Sequence, residues 1–271
     1  MNLLKNIQFL TSLTLRNIKT YGKENAISFN EPIEHNSVYW YGHATTIINL
    51  EGKLILTDPV LTSNLGYFKR QVDIPMDLKD LKFDYILLSH GHSDHLHFPS
   101  LRQLNKDAVV ISPRGYKKQL NFLGFKNVHV IHHEGSFSDD FISIESIPAK
   151  HDGRRYYLGK ETQSHSFLIN GKNKSVFFAG DTAYTENYKG ISCDIALMPV
   201  GCYKPDRFLK MHCSPEESYR MFDMMDCPIM MPIHYKTFML SLENFEETLN
   251  SLIQIDDDKV NVTDVGQVVK F

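Results

Sequence analysis

Apolar and polar positions alternate along this chain in short runs, and most of those runs have the signature of strands. Stretches rich in Val, Ile, Phe and Tyr, bounded by Gly, Pro, Asp or Asn, predict strands over residues 38–41, 45–50, 53–57, 85–89, 108–112 and 128–132. The same signature continues at 141–147, 164–169, 175–179, 195–199, 229–232 and 259–263. Apolar residues at helical spacing predict helices over 115–123, 214–225 and 242–253. The second of these opens with Ser214 at the N-cap, Pro215 at the first helical position and Glu217 three residues after the cap. Helices interspersed among many strands, without strict βαβ alternation and without internal repeats, predict an α+β fold: sheets packed on one another with helices outside them, in a single domain.

The N-terminal stretch stands apart. Residues 1–30 are read as a helical N-terminal segment, and residues 31–271 as the domain itself. Leu3, Leu4, Ile7, Phe9, Leu10, Leu13, Leu15 and Ile18 recur through residues 1–20, with Lys5, Arg16 and Lys19 among them. Asn6, Gln8, Thr11 and Ser12 break the apolar run too often for a signal-peptide core or a membrane span. Two roles stay open: an amphipathic helix lying on a bilayer surface, or a helix packed on its own domain or on a second subunit of a homo-oligomer. No other stretch approaches spanning length, so a soluble or at most membrane-peripheral protein is expected.

Composition narrows the function classes. With 29 Lys and Arg against 32 Asp and Glu, the net charge is -3, which excludes a nucleic-acid binder driven by bulk positive charge. The partner expected is instead a small molecule or a lipid. Cys193, Cys202, Cys213 and Cys227 form no C-x-x-C pair, so neither a disulfide scaffold nor a zinc ribbon is indicated, and a reducing, cytoplasmic setting is expected.

The 13 histidines change the picture most. Ser89-His90-Gly91-His92-Ser93-Asp94-His95 directly follows the apolar run ending at Leu88. Alternate side chains of extended backbone point the same way, so His90 and His92 can converge on one ion, while Asp94 and His95, past the bend, face a second. Gly91 lets the backbone curl between the first two. Imidazole and carboxylate suit catalytic zinc, with manganese and iron as alternatives. Further candidates each stand just after an apolar strand: His151, Asp181 in Gly180-Asp181-Thr182, and His234.

This set, H-x-H-x-D-H followed by an isolated His, a G-D-T and a late P-I-H, resembles the metallo-β-lactamase superfamily from about Val38 onward. The resemblance implies a four-layer αββα sandwich with two metal ions at one edge. It implies that His90, His92 and His151 hold the first ion, that Asp94, His95 and His234 hold the second, and that Asp181 bridges them. It also implies hydrolysis by a metal-activated water, with Asp94 handling the proton. Within the superfamily, Asp181 stands where zinc β-lactamases generally have Cys, and His92 where the oxygen-reducing di-iron branch has a carboxylate. The spacing from His151 to His234 leaves no room for the inserted domain of the RNA-processing nucleases.

Tyr41-Gly42-His43-Ala44-Thr45, Thr57-Asp58-Pro59, Pro148-Ala149-Lys150-His151 and the run 199–205 narrow the resemblance further. With Met211-His212 and Ser214-Pro215-Glu216-Glu217, they are similar to the N-acyl-phosphatidylethanolamine phospholipase D family, and share part of their frame with ascorbate-6-phosphate lactonases. The function expected is therefore di-zinc hydrolysis of a phosphodiester such as a phospholipid. A lactonase or thioesterase acting on a small substrate, and a non-catalytic metal-binding protein, are the alternatives. The chain departs from the family after His151, at Arg154-Arg155, and at 163–166, where the pocket would be lined.

Supporting roles are open to several residues. Asp58 is a candidate to orient a metal-bound imidazole, or a turn residue before Pro59. His43 sits beside the site, or is a core histidine. Arg154, Arg155, Tyr203, Lys204, Arg207, His212, Tyr235 and Lys236 flank the presumed ligands and are candidates to hold an anionic group of the substrate. His97, His129, His132, His133 and His165 are assigned no metal.

Overall fold

The computed structural model describes residues 3–155, 162–255 and 258–271. The elements run α1 (Leu3–Tyr21), β1 (Ser37–Gly42), β2 (Thr45–Leu50), β3 (Lys53–Thr57), β4 (Asn64–Leu65), β5 (Phe68–Lys69), β6 (Tyr85–Leu87), α2 (Phe98–Gln103), β7 (Val109–Ser112), α3 (Lys117–Phe122) and β8 (Val128–Val130). They continue through β9 (Ser136–Ser138), β10 (Ser143–Pro148), β11 (His165–Asn170), β12 (Ser175–Phe178), β13 (Ile195–Pro199), a 3-10 turn (Asp206–Lys210), α4 (Pro215–Asp223), β14 (Met230–Ile233), α5 (Phe245–Ile255) and β15 (Val268–Lys270).

Among the described residues the strands make two large sheets, ordered β15-β1-β2-β3-β6-β7-β8 and β14-β13-β12-β11-β10-β9, and β4 pairs with β5 as a small hairpin. Side-chain alternation explains why the sheets stack. Along β1, Val38 and Trp40 face the second sheet, where they meet a cluster containing Phe167, Phe177, Leu197 and Met231. Tyr39 and Tyr41 point the other way, into a second cluster with Leu101 of α2 and Leu120 of α3. On the far side, α4 packs against β13 and α5 against α4. The layers are therefore helix, sheet, sheet, helix, the αββα sandwich expected.

Strand direction then places the site. β3, β6, β7 and β8 run parallel to one another, and so do β12, β13 and β14. Their carboxyl ends carry Asp58, the loop 89–95, Asp181 and His234, so side chains far apart in sequence collect on one rim.

The strand expected at 259–263 is corrected. Only Val260 there bridges to another strand, at Met230, and the edge of the first sheet is completed by β15 instead. The cause is the turn at Gly266, whose φ of 88° and N–H bond to Trp40 O (2.8 Å) deliver the following residues to β1. The helix α2, the strand β9 and the hairpin β4–β5 were not expected from the apolar pattern.

Arg70, after the hairpin, is buried. Its Nε donates to Val72 O (3.1 Å), one terminal N–H to Val60 O (3.4 Å) and the other to Tyr41 O, while its plane lies 5.3 Å from the Tyr41 ring centre. Arg70→Leu leaves these carbonyls without their donor, and we expect it to destabilise the fold by about 2–4 kcal/mol. Chemical denaturation checks this; an unchanged midpoint would show that water replaces the guanidinium at no cost.

Candidate metal centre

The loop after β6 turns tightly because Gly91 N donates to Gly153 O at 3.1 Å, and a Cβ on Gly91 would stand only 2.7 Å from that oxygen. This turn lets His90, His92, Asp94 and His95 face inward together. Three groups of candidate donor atoms form, each with all its atoms within 4.8 Å of one another: a first cluster of His90, His92, His151 and Asp181, a second of His43, Asp94, His95 and His234, and a smaller group of Asp181, His212 and His234 that joins them. Asp181 also meets the second cluster, 3.2 Å from His95 Nε2 and 3.1 Å from His234 Nε2. In the first cluster its Oδ2 lies 4.0 Å from His90 Nε2 and 3.9 Å from His151 Nε2, and His92 Nδ1 faces His151 Nε2 at 3.1 Å.

Hydrogen bonds behind the rings decide which nitrogen carries the proton. His151 donates from Nδ1 to Met211 O (2.6 Å), leaving the Nε2 lone pair facing inward. Ser89 gives its hydroxyl proton to Asp58 Oδ2 (2.5 Å), so Ser89 Oγ accepts from His90 Nδ1 (2.9 Å) and His90 Nε2 is left bare. His95 donates from Nδ1 to Asp58 Oδ2 at 2.7 Å, which directs Nε2 at the carboxylates of Asp181 and Asp94. Asp58, itself fully buried, therefore fixes one ring in each cluster.

The charge state of His151 and His90 matches this orientation. Burial pushes His151 down to about 4 and His43 to about 3, and it holds His90 well below the ordinary imidazole value, so these rings are neutral at pH 7. Burial opposes ionisation of Asp94, but His95 and the hydrogen bonds from His234 and His43 outweigh it and hold the carboxyl well below its usual range. Burial likewise opposes a charge on His95. The carboxylates of Asp181, Asp94 and Asp58 outweigh that too, and hold the ring's proton affinity well above ordinary.

Three carboxylates around one ring are a surplus of buried negative charge that a cation offsets. His90 Nε2 and both Asp181 oxygens are buried without a hydrogen-bond partner among the described residues, at the focus of the lone pairs. Imidazole nitrogens with carboxylate oxygens are a donor set for divalent transition metals, so the residues fit a metal in each cluster. Backbone strain gathers here as well: His43, Asp58, Cys202 and His234 adopt positive φ of 57°, 34°, 63° and 66°.

His43 lies at the site itself, its Nε2 3.1 Å from Asp94 Oδ2 and its ring 4.0 Å from that of His234. His212 also faces it, with Nδ1 3.6 Å from Asp181 Oδ2. Beyond Asp94 and Asp181 opens a cavity of about 640 Å³, walled by His97, Arg155, His212, Phe208, Leu240 and the β4–β5 hairpin with Tyr67 and Phe68.

Most of the expected anion-binding side chains are directed elsewhere. Arg154 forks onto Asp152. Tyr203 turns its hydroxyl to Thr248 (3.3 Å), and Lys204 pairs with Glu247. Arg207 binds Asn6 Oδ1 of α1 (2.6 Å). Tyr235 is buried on the Trp40 ring, and Lys236 pairs with Asp264 (2.7 Å). Of that group Arg155 and His212 line the cavity, and Arg155 also donates to Gly91 O and Leu96 O (3.1 and 2.9 Å). His97 was missed, as were the hairpin aromatics; the His97-Phe98-Pro99 step, a helix start beside the histidine loop, was the available signal for the first.

Sandwich, rim and paired donor clusters define a metallo-hydrolase type of protein. A family model described as Beta-lactamase superfamily domain matches residues 53–235, and the chain belongs to that superfamily, as a hydrolase. A UPF0173 metal-dependent hydrolase of Bacillus thuringiensis is 32% identical over 212 residues, covering 74% of this chain and 86% of its own. N-acyl-phosphatidylethanolamine-hydrolyzing phospholipase D 1 of Caenorhabditis elegans is 29% identical over 259 residues, 84% of this chain and 72% of its own. Among solved structures, the metallo hydrolase Igni18 of Ignicoccus hospitalis superposes with a TM-score of 0.67 at 23% identity, covering 87% and 97% of the two chains. Among the described residues, no helix is long and apolar enough to cross a membrane.

Proposed function

We propose that this protein is a di-metal phosphodiesterase acting on a phospholipid-like substrate. The carrying observation is the pair of donor clusters beside a cavity, with Asp181 in the first and within 3.2 Å of His95 and His234 of the second. His90, His92 and His151 would hold one ion and Asp94, His95 and His234 the other, with Asp181 common to both. Zinc suits this set, and manganese or iron would be accepted by the same donors. Bound there, such ions supply a water acidic enough to ionise near neutral pH and polarise the phosphoryl oxygens.

The chain's own groups do the rest. Asp94 lines the cavity, and its carboxylate is held ionised, ready to take a proton from the attacking water. His212, on the same wall, is placed to donate a hydrogen bond to a substrate oxygen. Among the described lining residues, Arg155 brings the one guanidinium or ammonium, whereas Leu65, Tyr67, Phe68, Phe208 and Leu240 give an apolar wall. That balance suits an amphiphile with one phosphate better than a small, highly charged sugar phosphate. The C. elegans relative's name points to the same substrate class.

The test combines metal quantification with turnover of an aryl phosphodiester, a phospholipid, a lactone and a thioester. We expect bound transition metal, phosphodiester turnover abolished by chelation, and recovery when zinc is returned. Lactone or thioester turnover without phosphodiester turnover would replace this substrate assignment.

A further inference from the structure

Helix α1 is built inside out. Its inward face is held largely by polar contacts: Asn17 Nδ2 donates to Met239 O (2.9 Å), Arg16 donates to Leu242 O, and Thr20 is buried, with Leu13 the one fully buried apolar side chain among the described residues of the helix. Its outward face is the apolar one. Ile7, Leu10, Leu15, Ile18 and Tyr21, at helical spacing along one side, are each 51–59% exposed. A helix that merely finished its own domain would place those residues inward.

Two observations say what covers this face. First, every charged residue of α1 is basic: Lys5, Arg16 and Lys19, with Lys5 and Lys19 exposed, in a chain whose net charge is -3. Second, the helix borders the mouth of the cavity, through Tyr21 at the end of the apolar face and through the half-buried Phe9 on its inward side. Tyr21 Oη donates to Tyr67 O (2.9 Å), and Phe9 packs edge-on against Phe208 at 5.1 Å; Tyr67 and Phe208 both line the cavity.

We propose that α1 lies in the surface of an anionic lipid bilayer, its apolar side among the acyl chains and its lysines at the headgroups. A second copy of the chain seated on the same face would stand across the cavity entrance, whereas a bilayer would present its lipids to it. This deepens the phospholipid reading of that cavity, and the test below measures binding without turnover, so the two can fail separately.

The full-length protein is to be sedimented with vesicles of phosphatidylcholine alone and of phosphatidylcholine with phosphatidylglycerol, at low and at high salt. We expect it to pellet with the anionic vesicles and to be released by salt. The variants Ile7→Asp and Ile18→Asp combined should lose about tenfold or more in vesicle partition, since each apolar side chain of this size carries at least that factor on burial. Their melting curve and metal content should match the parent's, because both positions face outward. No pelleting with either vesicle overturns the proposal, as does a double variant that pellets equally well. A parent that is dimeric by light scattering, becomes monomeric on the double substitution and ignores vesicles would assign the face to a second copy instead.

Discussion

His92→Ala is expected to purify with metal missing from the first cluster and with phosphodiester turnover reduced by about two to three orders of magnitude, the scale for deleting one group that stabilises developing charge. The argument is geometric. His92 Nδ1 and His151 Nε2 face each other at 3.1 Å, too close for two bare lone pairs unless a cation or a shared proton lies between them. Alanine leaves His90, His151 and Asp181 in place but removes the third imidazole of a three-histidine face. His92 is half-buried on the cavity wall, unlike His90, which is fully buried. Truncation at 92 should therefore leave the melting temperature of the metal-free protein close to that of the metal-free parent. Elemental analysis beside turnover checks this. A variant with full metal content and full activity would remove His92 from the centre.

What the sequence made legible follows from how local each signal was. His90, His92, Asp94 and His95 fall on one loop, so their convergence follows from alternation and a bend. His151, Asp181 and His234 were found because each follows an apolar run whose carboxyl end the parallel strands bring to the same rim. His43 was harder. Its place beside Asp94 depends on the tight turn between β1 and β2, where it adopts positive φ, and chain proximity gives no hint of a partner 51 residues away. The anion-binding candidates fail for the converse reason. Lys204, Arg207 and Tyr203 are near the ligands in sequence, but Glu247, Asn6 and Thr248, supplied by α5 and α1, set the direction of their side chains. The cavity wall was illegible for a similar cause: the two-residue strands β4 and β5 are too short to show periodicity, and their placement comes from contacts with α1 and the Arg70 anchor.

Asp58→Asn is expected to lower metal content and phosphodiester turnover about 10–100-fold while leaving the chain folded, because one carboxylate governs rings in both clusters. Asp58 Oδ1 accepts from Ser89 N at 2.7 Å, and Oδ2 accepts both the Ser89 hydroxyl (2.5 Å) and His95 Nδ1–H (2.7 Å). An asparagine that keeps its oxygen on Ser89 N must present an NH2 where Oδ2 was. That NH2 donates, so His95 Nδ1 has to become the acceptor and its proton moves to Nε2, the nitrogen that faces Asp181 and Asp94. A protonated Nε2 has no lone pair for a metal. Ser89, its acceptor lost, turns its hydroxyl toward His90 Nδ1 and forces the same exchange there, so a substitution of nearly constant volume disables a donor on each side of Asp181. Elemental analysis should then find metal lost from both clusters rather than one, which separates this effect from that of His92→Ala. Retention of full metal content and turnover by the Asn variant would show that Asp58 serves the turn before Pro59 and nothing more.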